Sequence, residues 1–303
     1  MAFGLYLLRS SPEENPSDTP VTMKVDTITE SFTSVHAEVL GADLEILPST
    51  DGVCSVTSPA TQKVYYTATV EEGVLMIWRT DLRKWYEKIT LFSFKTPTVK
   101  VLLPKAEYEK LTVESHSMDL LVASGITFNR ADVKASSGDV KYLGDATTKL
   151  TISISSGSAF VQGISASEMI GKVTSGRLEV EDISCNRLTL KGTSGTIEVR
   201  KATVQEICHF EQTSGRISLS DVISKGQLSA KLTSGGLRLD QCDAETISLK
   251  LTSGSVRGTL CSDKVFNVRS TSGSVRVPDS VQNAGLCEIE TTSGSVNLTI
   301  END

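Results

Sequence analysis

The sequence predicts an all-β solenoid, a parallel β-helix of stacked coils about twenty residues long, and three observations carry that prediction. First, Thr-Ser-Gly recurs along most of the chain, with its serine at Ser175, Ser194, Ser214, Ser234, Ser253, Ser272 and Ser293. Variant corners precede it at Ser137-Gly138 and Ser156-Gly157, and every step from Ser137 onward is 19 to 21 residues. Self-similarity at a fixed short period marks coils stacked on one another. Second, each corner is followed by period-2 apolar residues, such as Leu178/Val180 and Ile197/Val199, and later by a second pair, such as Leu188/Leu190 and Ile247/Leu249. That alternation is the mark of strands with one buried face. Third, helical spacing of apolar residues is absent, so negligible helix is expected.

The register extends beyond the motif itself. Twenty residues before Ser137 stands Ser117, with Met118 in the glycine position, and twenty before that stands Pro97, another corner followed by Thr98-Val99-Lys100-Val101. Gly41 to Ile46 reads as one more first strand. The stretch from 47 to 95 is too long for two coils and predicts an insertion, with a hairpin formed by Val64–Val70, a turn at Glu71-Glu72-Gly73, and Val74–Trp78. Glycine at the corners suggests tight turns with positive φ. The chain thus divides into a linker or anchor stub over 1–20, N-terminal coils with a capping hairpin insertion over 21–96, and regular coils over 97–303.

Residues 1–20 hold a short apolar run, Phe3 to Leu8, then the polar stretch Ser10 to Pro20. The run is too short to span a bilayer and lacks signal-peptide features. It reads either as a disordered start or as the stub of a membrane anchor. A net charge of −7 argues against a nucleic-acid binder. The six cysteines show neither paired spacing nor a metal-ligand pattern with the three histidines, so neither a metal nor a cofactor is expected. Cys242 and Cys261 share an offset in successive coils, and the sequence favours two reduced thiols there over a bridge.

Any chemistry of a β-helix lies on its outer faces. The column four residues past each corner serine reads Glu179, Glu198, Ser218, Arg238, Arg257, Arg276, Asn297, with no cluster of aspartates. His36, His116 and His209 are scattered, and no nucleophile elbow or phosphate loop occurs, so no catalytic residue is expected. The sharpest feature is basic. Arg238, Arg257 and Arg276 are expected on consecutive coils, and Lys231, Lys250 and Arg269 just before the same corners. Residues 225–277 carry eight Lys/Arg against four Asp/Glu. Such stripes are either solvated faces or a docking strip for a polyanion, an acidic glycan or a membrane surface. Seven of the sixteen aromatics, among them Trp78, Trp85 and Tyr86, crowd into the insertion. They read as a cap over the first coils or as a surface for a protein partner or a sugar. The last coil, Ser295–Ile300, is expected to leave an exposed edge guarded only by three polar residues, consistent with a monomer or weak dimer.

The repeated corners, the early strand Ala42-Asp43-Leu44-Glu45-Ile46, and Lys84-Trp85-Tyr86 with Phe92-Ser93-Phe94 together resemble the bacterial putative-adhesin or toastrack family of domains of unknown function, over roughly residues 25–300. The resemblance implies a right-handed, single-stranded β-helix held at the outer face of the cytoplasmic membrane by an N-terminal transmembrane segment. It therefore implies a cell-surface or extracytoplasmic location, although this sequence shows no anchor and a cytoplasmic one stays open. It brings no catalytic residues. The expected function is a non-enzymatic cell-envelope scaffold or binding module. A carbohydrate-active β-helix enzyme and the ectodomain of a membrane-linked regulatory system are the alternatives.

Overall fold

Each corner glycine lies against the backbone of the coil beside it, and this contact fixes the register of the shaft. A β-carbon on Gly157, Gly176, Gly195 or Gly215 would fall 1.9–2.3 Å from the carbonyl oxygen of the preceding corner glycine. Met118 begins the ladder, since a β-carbon on Gly138 would fall 2.1 Å from its carbonyl oxygen. Met118 sits at a corner between two strands, as its spacing predicts. The reason for glycine differs from the expected one. Of the corner glycines only Gly138, Gly215 and Gly235 have φ in the left-handed region, so close approach of stacked backbones, not the dihedral, excludes a side chain. Left-handed residues gather instead at a second corner, at Gly163, Asp182, Lys201, Asp221 and Gln241.

The computed structural model describes residues 21–85 and 96–301. The N-terminal region contains β1 (Thr22–Ile28), β2 (Ser34–Glu38), β3 (Asp43–Pro48), β4 (Cys54–Ala60), β5 (Val64–Glu71), β6 (Val74–Asp81) and β7 (Thr98–Leu103). The shaft begins with β8 (Glu107–Ser117), β9 (Leu120–Val122), β10 (Thr127–Ser137), β11 (Asp139–Tyr142) and β12 (Asp145–Ile154). It continues through β13 (Ser158–Gln162), β14 (Ser165–Val173), β15 (Arg177–Gly192) and β16 (Thr196–Leu251), the last running through several corners unbroken. It closes with β17 (Ser255–Leu260), β18 (Lys264–Ser270), β19 (Ser274–Arg276), β20 (Gly285–Thr291) and β21 (Ser295–Ile300). All belong to one sheet, and strands about one period apart pair in parallel along the shaft. The inward residues form one continuous apolar core, with Phe128, Tyr142 and Phe210 among its largest members.

Sequence order and spatial order part company at both ends. At the N-terminal end β2 pairs in parallel with both β6 and β8, and β3 with both β7 and β9. The coil made of β2 and β3 therefore lies between the coil of β6 and β7 and the shaft. The sequence expectation that the Pro97 corner adjoins the Ser117 corner is corrected accordingly. The expected hairpin is present as β5 and β6, and β4 runs antiparallel to both β1 and β7 at this end. Tyr66, inside the hairpin, is buried and donates its hydroxyl to the Leu40 carbonyl at 2.8 Å.

At the C-terminal end the last coil is likewise inserted. β20 pairs in parallel with residues 246–251 of β16 on one side and with β18 on the other. β21 lies between β17 and β19 in the same way. The Ser253 and Ser293 hydroxyls are 3.2 Å apart although forty residues separate them. The exposed end is thus the coil of β18 and β19, not Ser295–Ile300 as the sequence suggests. There Val268 is 37% exposed and Phe266, Val275 and Val277 are only partly buried, whereas Cys287, Ile289, Val296 and Leu298 lie within. The loop 278–284 covers part of this edge: Ser280 Oγ accepts the Phe266 amide at 2.9 Å, and the Val281 amide donates to the Lys264 carbonyl at 3.1 Å.

Candidate functional site

Arg238 and Arg257 face each other across neighbouring parallel strands, so their side chains leave the same side of the sheet about 4.8 Å apart at the backbone. Beyond Arg257 the inserted coil presents Asn297, and Arg276 follows on the far side of it. The three arginines share one column but are not consecutive, which corrects the expected ladder. No carboxylate pairs with any of them among the described residues. Arg216 joins them. Gly235 stacks on Gly215, which puts Arg216 one coil before Gly236 and next to the arginine column. It too has no ionic partner among the described residues.

The surroundings keep these guanidinium groups accessible. The neighbouring column holds Gly236, Ser255, Ser295 and Ser274 in register, and the one on the other side holds Thr259 and Thr299. Small side chains leave the arginines standing above a flat floor. Asp240, on the same strand, is the acid nearest in sequence to Arg238. Earlier coils contrast sharply with this. Glu179 and Glu198 are held by Arg177 at 2.8 and 3.1 Å, and Arg200 also contacts Glu198. The same outward column is therefore neutralised in its first half and left cationic in its second.

The other predicted basic strip is not free. Lys250 pairs with Glu290 at 3.4 Å, and Glu290 lies in register between Lys250 and Arg269. Lys231 lies 3.9 Å from Glu211, which also holds Lys191 at 2.9 Å. Insertion of the last coil brings an acid into a column that the sequence alone reads as wholly basic. Of the aromatics, Trp78 is half-buried on β6, Trp85 is 76% exposed, and Tyr86 lies outside the described residues with Phe92 and Phe94. An apolar row missed by periodicity stands near this cap. β1 and the residue before it turn Val21, Met23 and Val25 outward, 59–64% exposed, while Lys24 and Asp26 on the opposite face of β1 pair at 2.8 Å.

Among the described residues no cluster of His, Cys, Asp and Glu has metal-binding geometry. His209 Nδ1 lies 2.8 Å from Ser229 Oγ, but burial and then Lys191 push the imidazole pKa down, and no carboxylate hydrogen bond orients the ring. The six cysteines carry no disulfide. Cys242 and Cys261 miss each other because an irregularity after Leu239 pairs Cys242 with Leu260, and Cys261 Sγ turns to Gln241 Oε1 at 3.3 Å.

The sequence profile described as Toastrack DUF4097 matches residues 33–224 and 220–303, nearly the whole of the repeat region. The chain belongs to the Toastrack family. No functionally curated protein matches it. Among solved structures, this Toastrack chain is similar to a putative adhesin from Parabacteroides distasonis, with 13% identity and a TM-score of 0.50, covering 93% of this chain and 98% of that one. It is also similar to a putative lipid binding protein from the same species, with 17% identity and a TM-score of 0.51, covering 91% and 96%. At these identities the likeness concerns the fold.

Proposed function

We propose that this Toastrack protein is a non-enzymatic binding module of the cell envelope that holds a linear polyanion, such as an acidic glycopolymer, along Arg216, Arg238, Arg257 and Arg276. One observation carries the reading: Arg238 and Arg257 stand directly opposite each other with no carboxylate in ion-pair contact among the described residues, whereas cations of earlier coils such as Lys134, Lys149, Arg187 and Lys191 each hold a glutamate. Like charges on adjacent strands oppose each other, so their juxtaposition is relieved when an anion bridges them. The rod is read as a right-handed, single-stranded parallel β-helix, supported by the parallel pairing of strands along the shaft. The names of the similar structures, adhesins and a lipid binding protein, support an extracytoplasmic location.

The test is binding of the purified chain to a polyuronate and to its neutral counterpart across a salt series. Binding should be confined to the acidic polymer, fall steeply between 0.05 and 0.5 M salt as the Debye length shortens from about 14 to about 4 Å, and drop at least tenfold in Arg238→Glu/Arg257→Glu. Equal binding of the neutral polymer, or an unaffected variant, overturns the reading. Chain shortening of the polymer would favour a carbohydrate-active enzyme instead.

A second reading rests on β1. The outward Met23 and Val25, with Val21 just before the strand, suit the interfacial region of a bilayer, and charge-independent binding to neutral phosphatidylcholine vesicles, lost in Met23→Ser/Val25→Ser, would favour that surface.

A further inference from the structure

The last three corners read identically as Thr-Ser-Gly-Ser-Val, at Thr252–Val256, Thr271–Val275 and Thr292–Val296. At the corner itself, either of the two later coils therefore offers the same residues to the backbone beside Ser253. In the core the two coils differ chiefly at one position, Cys287 against the larger Phe266. Opposite Ile247, Leu249 and Val256 the inserted coil supplies Cys287, Ile289 and Val296. In the order of the sequence, the coil of β18 and β19 would supply Phe266, Val268 and Val275 at the same three positions.

The outer faces do distinguish them. In the observed order Glu290 stands between Lys250 and Arg269, and Asn297 between Arg257 and Arg276. In the sequential order Lys250 would meet Arg269, and Arg257 would meet Arg276, two like-charge contacts on adjacent strands. A third feature favours the observed order. Lys264, almost wholly buried, reaches over the inserted coil to Asp243 at 2.5 Å and Ser262 at 2.6 Å. The position it crosses is Gly285, where a β-carbon would stand 3.2 Å from its Nζ.

We propose that the last two coils form a two-state element in which Glu290 and Asn297 select the inserted order, and that a bound polyanion selects the sequential order. The second state would bring Arg238, Arg257 and Arg276 onto consecutive coils and give an anionic chain an uninterrupted line of cations. A ligand shifts such an equilibrium only through its different affinity for the two states, and removing the Asn297 interruption supplies that difference. Only the coil of β18 and β19 has a neighbour on one side alone, and the inserted coil lies next to it, so exchanging the two opens the end of the shaft and leaves the coils below in place. The ligand half rests on the arginine-face reading, whereas coil order is read by cross-linking alone and fails separately.

The test uses two cysteine pairs in the full chain, with bridges mapped by mass spectrometry after mild oxidation. In the observed order Ser253→Cys and Ser293→Cys are neighbours at ~4.8 Å and should bridge, while Ser253→Cys and Ser272→Cys, ~9.6 Å apart, should not. Adding Glu290→Lys/Asn297→Arg should change the yield ratio of the two bridges roughly tenfold toward the second. Should that variant not fold, Glu290→Gln should give a smaller shift in the same direction. With native charges, dextran sulfate at low salt should raise the Ser253–Ser272 bridge severalfold, and neutral dextran should not. A bridging pattern indifferent to the charge changes overturns charge-selected order. A pattern indifferent to dextran sulfate, in a protein that binds it, overturns ligand selection.

Discussion

The carbonyl oxygen of Gly157 lies 1.9 Å from the point a β-carbon on Gly176 would occupy, whereas a β-carbon on Gly163 would have no neighbour within 4 Å. The two glycines thus separate backbone stacking from backbone conformation. Gly176→Ala should lower stability by ~3 kcal/mol or more, because coils must move apart to admit the methyl group. Gly163, at φ +72°, should lose only ~1 kcal/mol on substitution by Ala. Urea unfolding of the two variants beside the native chain checks the ranking, and equal losses would refute the stacking argument.

The second corner is built from residues that tolerate its conformation unequally. Lys201 has φ of 54° there. Lys201→Asn should raise stability by roughly 0.5 kcal/mol, since asparagine enters the left-handed region more easily, and Lys201→Val should lower it by more than ~1 kcal/mol. Thermal melts of the pair, moving in opposite directions, are the expected result.

Burial should divide the thiols. Desolvation raises the Cys54, Cys185 and Cys242 pKa values to about 11 and that of Cys287 to about 12, and lifts Cys208 well above its usual range. Cys261 is only half-buried. An alkylating reagent at pH 8 should therefore modify Cys261 first, and the other five only on unfolding. Peptide mapping of the first modified site decides it.

His209 should give the shaft a pH dependence. Its pKa is lowered in the folded state, by burial first and then by Lys191, so the unfolded chain takes up a proton more readily. The resulting stability is complete above the unfolded pKa of about 6.5 and is lost as pH falls below it toward the folded value. Because the ring is half-buried the effect should be modest. Unfolding midpoints should decline from pH 7 to pH 5, and His209→Gln should flatten that decline.

The period made the coils, their inward residues and even the Met118 corner legible, because stacking imposes one offset on every layer. It left the order of layers undetermined. Three consecutive Thr-Ser-Gly-Ser-Val corners are interchangeable by pattern, so the period sets Arg276 beside Arg257 and gives no sign of the interposed Asn297 and Glu290. The available signal was the alternation of charge obtained when the last two coils are exchanged. Arg216 was missed for a simpler reason: it stands two residues nearer its corner than the column that was read. The outward Val21, Met23 and Val25 break the rule that apolar residues face inward, so alternation alone pointed the wrong way.

Threading of the last coil also imposes a timetable on biosynthesis. A ribosome delivers residues 264–276 before residues 285–300 exist, and at that moment the open edge beside Ser253 has only the earlier coil to receive. The nascent chain must therefore hold that edge vacant or surrender a partner it has already taken. Completion of this part of the fold waits for residues 285–300, whatever the fate of the shaft below them.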